Sequence, residues 1–339
     1  MATVAVTLHD VAREAGVSLA TASRVLNGST RRVADSYRER VQAAAEKLGY
    51  TANLSAQATA RGTAATVALL VSDIADPYFG QIAAGVARGA DEAGLVMTIA
   101  VTDRNPEREA RHLHALRGQR PRGLILASTR TIASAASPEL QRELDGLAAL
   151  GGRVVAIGRG APGLREIPVD NRGGTHDLGR ALAGQGYRRA IVLAAQEGLL
   201  SSDDRVEGFT AGFTEGGGTV LRVHRGSFTR EDGEQSMRAA LAAGIEPGTV
   251  VFAAGDIAAI GAMAAIRDAG REVGTDIALA GFDDIQTSRD VTPALSTVRV
   301  PLEEIGYLAF RAAIEPDWKP YTSTTGSQVL LRDSTPGLA

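Results

Sequence analysis

The stretch LHDVAREAGVSLATASRVLNG, residues 8–28, gathers hydroxyls, a guanidinium and an amide on one short segment. Read as a helix capped by Ser18, its second half turns Ala22, Val25 and Leu26 to one side and Thr21, Ser23, Arg24 and Asn27 to the other. Hydroxyls and arginine suit phosphate oxygens, and a guanidinium forks onto the acceptor edge of guanine. This is chemistry of recognition rather than of bond making. Just before it, Leu8, Val11, Ala12 and Ala15 fall at helical spacing behind Thr7, a natural N-cap, and Gly16-Val17 makes the turn. A third helix carries Val41, Ala44, Ala45 and Leu48 and stops at Gly49. Helix, glycine turn, helix is the helix-turn-helix motif, whose second helix lies in the major groove of DNA.

Bond-making constellations are missing from the sequence. His112 and His114 stand two apart and do not share a helix face, and His9, His176 and His224 are scattered. Gly216-Gly217-Gly218 precedes the strand TVLRV, so it reads as a turn and not as a phosphate loop. Ser201-Ser202-Asp203 has no histidine near it in sequence. The chain has no cysteine, which removes disulfides, thiolate metal sites and thiol nucleophiles. No catalytic residue, metal or cofactor is expected. No signal peptide and no bilayer-length apolar run is visible, so the expected location is the cytoplasm, with no membrane partner.

With 339 residues, 44% of them hydrophobic, the chain is long enough for more than one core. The formal net charge of −3 is unevenly spread: residues 1–62 hold eight Arg/Lys against five Asp/Glu, so +3, which leaves −6 for the remainder. A positive head suits a local anionic partner, and an acidic body limits indiscriminate adhesion to polyanions. From Thr66 the pattern changes. Apolar runs TVALLV, LVMTIAV, GLILA, VVAI, AIVLA, VVFAA and IALAGF alternate with amphipathic segments such as 82–93, 107–117, 205–214 and 257–269. That alternation predicts parallel sheets covered by helices. About ten strands exceed one comfortable sheet, which predicts two lobes. Ligands of such sheets sit beyond the carboxyl ends of the strands, here in the cleft between the lobes.

The segments TLHDVAREAGVSLATASRVLNG and VADSYRERVQAAAEKLGYTAN, followed in order by SDIADPYFGQIAAGV, PVDNRGG, RVEGF, AAGDIAAIGAMAAI, ALAGFDD and LSTVRVPLEEIG, resemble the LacI/GalR family of bacterial transcription regulators. The likeness spans nearly the whole chain. It implies an all-α helix-turn-helix head (1–50), a hinge helix or linker (51–65), and an α/β two-lobe core (66–339) like the type I periplasmic binding proteins, with parallel sheets. Lobe 1 is expected over about 66–161 plus 293–325. Lobe 2 is expected over about 162–292 plus a C-terminal strand.

The same resemblance puts Ser18, Leu19, Ala20, Thr21, Ser23, Arg24 and Asn27 on DNA, with Leu19, Ala20 and Arg24 at base-reading positions and Thr21 and Ser23 at phosphate-contacting ones. Arg24 is either a bidentate base reader or a phosphate clamp. In the hinge, Asn53, Ala56 and Thr59 match minor-groove positions. Thr59 stands where the family has a Leu that wedges into the base stack, and Ala52 where it commonly has Pro, so either Leu54 or another side chain serves as the wedge or the DNA is bent less.

The ligand positions of the family correspond to Asp76, Tyr78, Phe79, Arg205, Phe228, Asp256 and Asp283. Arginine forks and aspartates satisfy a polyol, and aromatic rings give it apolar faces. Each has a plainer alternative: Asp256 as a helix cap, Arg205 in an ion pair with Asp203 or Asp204, and Tyr78 and Phe79 in the core. Gly255 replaces an Asn frequent in the family.

The expected function is a homodimeric repressor on a pseudo-palindromic operator, released by a carbohydrate inducer. A co-repressor mode with a nucleobase-like ligand stays open through Tyr78, Phe79 and Phe228. A transport solute-binding protein would need a secretory signal and no head. The tail after LLRDST carries no leucine heptads, so a tetramerising coil is not expected.

Overall fold

The computed structural model describes residues 6–26, 33–51, 64–127, 131, 137–159, 163–319 and 326–338. They belong to two compact units, Met1–Ala65 and Thr66–Ala339.

The first unit contains α1 (Leu8–Ala15), α2 (Leu19–Leu26) and α3 (Asp35–Leu48). Thr7 and Asp10 exchange backbone-to-side-chain hydrogen bonds, a reciprocal capping box that starts α1. Gly16, at φ 61°, ends it in the left-handed conformation that glycine adopts freely. Ser18 Oγ accepts from the Thr21 N–H at 3.1 Å and so starts α2. The core consists of Val11, Ala12, Ala15, Ala22, Val41 and Ala44, with Val25 and Leu26 packed at its edge. Arg40 reaches back from α3 to the carbonyls of Ala15 and Gly16, tying the third helix to the turn.

In the second unit, β1 (Thr66–Val71), β2 (Val96–Val101), β3 (Gly123–Ala127), β4 (Arg153–Ile157) and β5 (Arg165–Ile167) make a parallel sheet in the order β2-β1-β3-β4-β5. Side chains alternate across a strand. Val67, Leu69 and Val71 of β1 therefore meet Phe79, Ile82 and Val86 of α4 (Pro77–Glu92), while Ala68 and Leu70 meet Leu113 of α5 (Pro106–Gln119) and Leu144 of α6 (Pro138–Ala149). Both faces being covered explains the unbroken apolar runs of β1 and β3, whereas edge strand β2 leaves Val96 and Ile99 exposed.

The second parallel sheet has the order β7-β6-β8-β9, from β6 (Arg189–Ala195), β7 (Thr219–Gly226), β8 (Thr249–Ala253) and β9 (Ala278–Ala280). Helices α7 (Asn171–Gly184) and α8 (Leu200–Glu215) pair with each other, as do α9 (Arg230–Ala242) and α10 (Asp256–Asp268). Inward residues again sort by parity. Val192 and Phe252 join Phe209 and Phe213 of α8, whereas Ile191 and Val251 join Met237 of α9 and Ile266 of α10.

The crossings between lobes fall later than the sequence reading placed them. β5 hydrogen-bonds to β4 in the first sheet, so the chain leaves lobe 1 after Ile167 and not near 161. Residues 296–299 also stay with lobe 2: Gly281 and Asp283 donate their N–H groups to Ser296 O and Val298 O. The short α11 (Thr287–Asp290) precedes β10 (Thr297–Arg299), which pairs antiparallel with β11 (Gln328–Leu330). Only with α12 (Leu302–Ile314) does the chain return to lobe 1, packing on α4. The following segment secures lobe 2 from outside its sheet: Tyr187 Oη donates to Pro336 O at 2.6 Å, and Leu338 N–H to Gln185 O at 2.8 Å. Among the described residues no helix is long and apolar enough to cross a membrane.

The α4–α12 contact is close enough to need glycine. A Cβ on Gly85 would lie 1.8 Å from Glu303 O, and one on Gly306 2.1 Å from Ile82 O. Gly85→Ala is expected to cost about 3 kcal/mol in urea unfolding because backbone, not a movable side chain, blocks it. Gly118→Ala, in α5 with nothing within 4 Å of its Cβ, is expected to add about 0.5–1 kcal/mol. Equal effects at the two positions would contradict the packing described.

Candidate functional site

On α2, burial of Ala22 sets the outward face: Ser18, Leu19, Ala20 and Arg24 are exposed, and Thr21 and Ser23 half-buried. Leu19 is a large apolar residue left 39% exposed, which the small core does not require. Ser18 Oγ and Thr21 Oγ1 lie 2.8 Å apart and share one hydrogen bond, leaving further acceptor capacity outward. Lys47 is paired with Glu14 at 2.6 Å, and Arg13 with Asp10, two neutral pairs that leave the net excess to the other charged side chains. Asn27, Asn53, Ala56 and Thr59 lie outside the described residues.

In the second unit a cavity of about 140 Å³ opens beyond the carboxyl ends of both sheets. Its wall includes Asp76, Tyr78, Phe79, Arg205, Phe228 and Asp283, six of the seven positions singled out in this unit. Asp76 reaches it as the N-cap of α4, accepting the Tyr78 N–H at 3.0 Å. Tyr78 and Phe79 meet edge to face with centroids 4.9 Å apart. Phe79 both fills the core and faces the cavity, so the two readings of that ring coexist.

Asp256 is different. It is fully buried behind the wall and is the first residue of α10, with no side-chain cap bond to that helix. Instead Oδ2 accepts the Ile285 N–H at 3.0 Å and Oδ1 the Thr297 hydroxyl at 2.7 Å, which fixes the loop after β9.

Arg205 is the centre of the arrangement. It projects from α8, is 4% exposed, and pairs with Asp283 rather than with Asp203 or Asp204. Nη2 donates to Asp283 Oδ1 at 2.9 Å, Nη1 to Ala254 O at 2.6 Å and Asp283 Oδ2 at 3.4 Å, and Nε to Asn171 Oδ1 at 2.8 Å. Its guanidinium lies over Phe282, 4.0 Å from the centroid, with Phe228 at 5.5 Å on the cavity side. Of the five guanidinium protons, one on Nη2 remains for a ligand oxygen. Gly255 leaves room beside it: a Cβ there would stand 3.4 Å from Phe228 Cδ1 and 3.6 Å from Asp283 Oδ2.

Two adjacent carboxylates have opposite electrostatics. Burial pushes Asp283 up to about 7; Arg205 opposes that rise and Asp76 adds to it. Burial also raises Asp76, and it raises Asp256 strongly, with Asp283 adding to the latter. Burial acts upward on Asp284 too, but hydrogen bonds from Arg289, Arg332 and Arg299 outweigh it and bring that carboxyl down to about 2. Asp283 and Asp284 both hold positive φ, 116° and 54°. Asp284, anchored by three arginines, carries the backbone that aims Asp283 at Arg205.

Several wall residues were not among the expected ligand positions, although Asn171 lies in the PVDNRGG motif. Asn171 follows Asp170, whose side chain caps α7 through the Gly173 N–H at 3.0 Å. Arg104, Arg159, Ser201 and Asp204 also line the cavity, and Arg159 of lobe 1 pairs with Asp204 of lobe 2. Arg104 and Arg159 lie just beyond the ends of β2 and β4, and nothing in the residue pattern aimed those segments at the cleft. Among the described residues no group of three His, Cys, Asp or Glu could hold a metal ion.

Comparison with known proteins adds the context. Residues 7–53 match the bacterial regulatory proteins of the lacI family, and residues 180–334 a periplasmic binding protein-like domain. The chain is 34% identical to the HTH-type transcriptional regulator GalR of Escherichia coli K12 over 98% of this chain and 97% of the relative. Its structure is similar to a lac repressor dimer bound to operator and the anti-inducer ONPF, with TM-score 0.83 and 26% identity over 98% of this chain and all of that one. It is also similar to a regulator CelR–cellobiose complex, with TM-score 0.69 and 28% identity over 97% and 99% of the two chains.

The raised pKa of Asp283 has a definite sign. The folded state holds its proton more tightly than the unfolded chain does, so its contribution to stability is full below about pH 4 and is lost as pH rises through about 7. Urea unfolding between about pH 5 and about pH 9 is expected to show the parent losing stability relative to Asp283→Asn up to about pH 7 and running parallel above about 8. Parallel behaviour throughout would mean that Asp283 is ionised across the range.

Proposed function

The chain belongs to the lacI family of bacterial regulatory proteins, and from that premise we propose that its cavity takes a single sugar-sized polyol whose binding releases the protein from its operator. The protein is a ligand-responsive, DNA-binding transcriptional repressor that acts as a homodimer, and not an enzyme. The chemistry of the wall supports a sugar. Arg205 keeps one donor for a hydroxyl oxygen, Asp283 and Asp76 accept from hydroxyls, and Phe228 and Tyr78 offer apolar faces to ring C–H groups. The volume of about 140 Å³ lies below the roughly 300 Å³ at which pockets for drug-sized ligands begin, and suits one small ring. The observation that carries the reading is the buried Arg205–Asp283 fork facing that space.

The helical unit reads the operator. Leu19 and Ala20 meet thymine methyls or groove shape, Arg24 forks onto a guanine, and Ser18, Thr21 and Ser23 position the helix on phosphates. Two copies related by a two-fold axis match a pseudo-palindromic site. Ligand between the lobes changes their mutual angle and so the fraction of dimers able to hold DNA. The work is done in the cytoplasm, where that DNA is.

A melting-temperature screen over monosaccharides, sugar phosphates and nucleobases, followed by operator-binding anisotropy, tests this directly. A stabilising monosaccharide that weakens operator binding is the expected result; a nucleobase that strengthens it would reverse the sign of control. Arg205→Ala and, without stranding a buried charge, Phe228→Ala are expected to abolish the response while leaving operator affinity within about threefold. Arg24→Ala is expected to relax preference at one base pair by about 1–3 kcal/mol. A uniform loss over all sequences would make Arg24 a phosphate clamp.

A further inference from the structure

Asp103 and Arg104, in the loop after β2, both hold left-handed φ angles, 50° and 56°, without being glycine. Two adjacent strained residues need a reason. The loop delivers the Arg104 guanidinium to the cavity wall, and there it crosses the gap. Nη2 donates to the Phe228 carbonyl of lobe 2 at 2.9 Å, while Nη1 faces Asp73 Oδ2 of its own lobe at 3.5 Å. Its Nε is buried and has no hydrogen-bond partner. The carbonyl it holds belongs to the residue whose ring faces Arg205, so Arg104 fixes the position of the cavity's aromatic wall from the opposite lobe.

We propose that Arg104 is a positioning residue that latches the two lobes across the cavity and sets their resting separation. An unsatisfied charged donor makes the latched state incomplete. Nε is closed off from the cavity as well as from partners, so it is a cost of the latched state and not a ligand donor. A ligand that packs on the Phe228 ring binds the latched arrangement better than the released one, which is the differential affinity a conformational shift requires. The ligand step rests on the reading of the cavity given above; the latch itself does not. Arg159–Asp204 is a separate bridge between the same lobes, so loss of Arg104 loosens the gap without separating its walls. With its side chain 23% exposed and Asp73 33% exposed, removal of Arg104 leaves partners that water can reach.

The chain has no cysteine, so Glu107→Cys and Glu231→Cys, exposed on either side of the gap, allow donor and acceptor dyes to be attached at defined points. Labelled chains are exchanged into dimers with excess unlabelled full-length chain, and single-molecule energy transfer is recorded with no ligand added. Arg104→Ala is expected to move the distribution to lower transfer, with a melting temperature within about 2 °C of the parent, and Arg104→Lys to recover part of the shift. An unchanged distribution in Arg104→Ala overturns the latch, whether or not the melting temperature falls. This readout uses no ligand, so its failure is distinct from failure of the sugar reading, which shows instead as a screen without a hit or a response that survives Arg205→Ala.

Discussion

A guanidinium kept away from water is the constraint around which the larger unit is arranged. Arg205 is tolerated inside because Asn171, Ala254 and Asp283 bring acceptors from three different elements. Breaking a buried pair of this kind costs about 3–5 kcal/mol, far more than a surface bridge contributes. The position of the loop after β9 follows from it. Asp283 must leave the sheet at a positive φ to reach Arg205, and Asp284 and Asp256 hold that departure in place through Arg289, Arg299, Arg332, Thr297 and the Ile285 amide. Neighbouring aspartates with opposite proton affinities show environment, not residue type, deciding charge. One stays ionised as a structural tie. The other is raised by burial to about 7 in spite of Arg205.

The smaller unit works by other means. Among its described residues the fully buried set is Val11, Ala12, Ala15, Ala22, Val41 and Ala44, mostly small side chains. Local hydrogen bonds carry more of the load: the Thr7–Asp10 capping box, the left-handed glycines at 16 and 49, and Arg40 on the turn carbonyls. Small side chains let α2 sit close to its support and leave Leu19, Ala20 and Arg24 outside. A surface so composed is shaped by what it touches more than by what it covers.

Much of this was legible from residue patterns. Apolar runs bounded by turns located β1, β3, β6 and β8 because both faces of the sheets are covered there, while the apolar run of edge strand β2 leaves Val96 and Ile99 exposed; helical spacing located α1–α3. What escaped notice had no periodic signal. β5 is three residues, Arg-Glu-Ile, too short and too polar to read as a strand, and its pairing with β4 shifted the lobe boundary. Asp256 and Asp283 both follow buried strands, and a one-dimensional pattern does not report that one carboxyl faces the cavity while the other is spent on a loop amide and a hydroxyl. Arg104, Arg159 and Ser201 sit in loops or at a helix start, where sequence distance says nothing about which face of the cleft they reach. Arg205 could be assigned a role by resemblance, but its partner, 78 positions along the chain, could not be found from nearby charges.

The way the chain threads the core has a genetic corollary. Lobe 1 needs α12 and lobe 2 needs β10, β11 and the segment around Pro336 and Leu338, so each is assembled from stretches far apart in the gene. Neither lobe can be inherited, excised or exchanged alone by a single recombination event. The unit Met1–Ala65, by contrast, ends before the first strand begins. Evolution, or an engineer, can therefore swap the reader of DNA as one cassette, whereas a new sensor has to be obtained by point changes in its wall or by replacing the whole core at once.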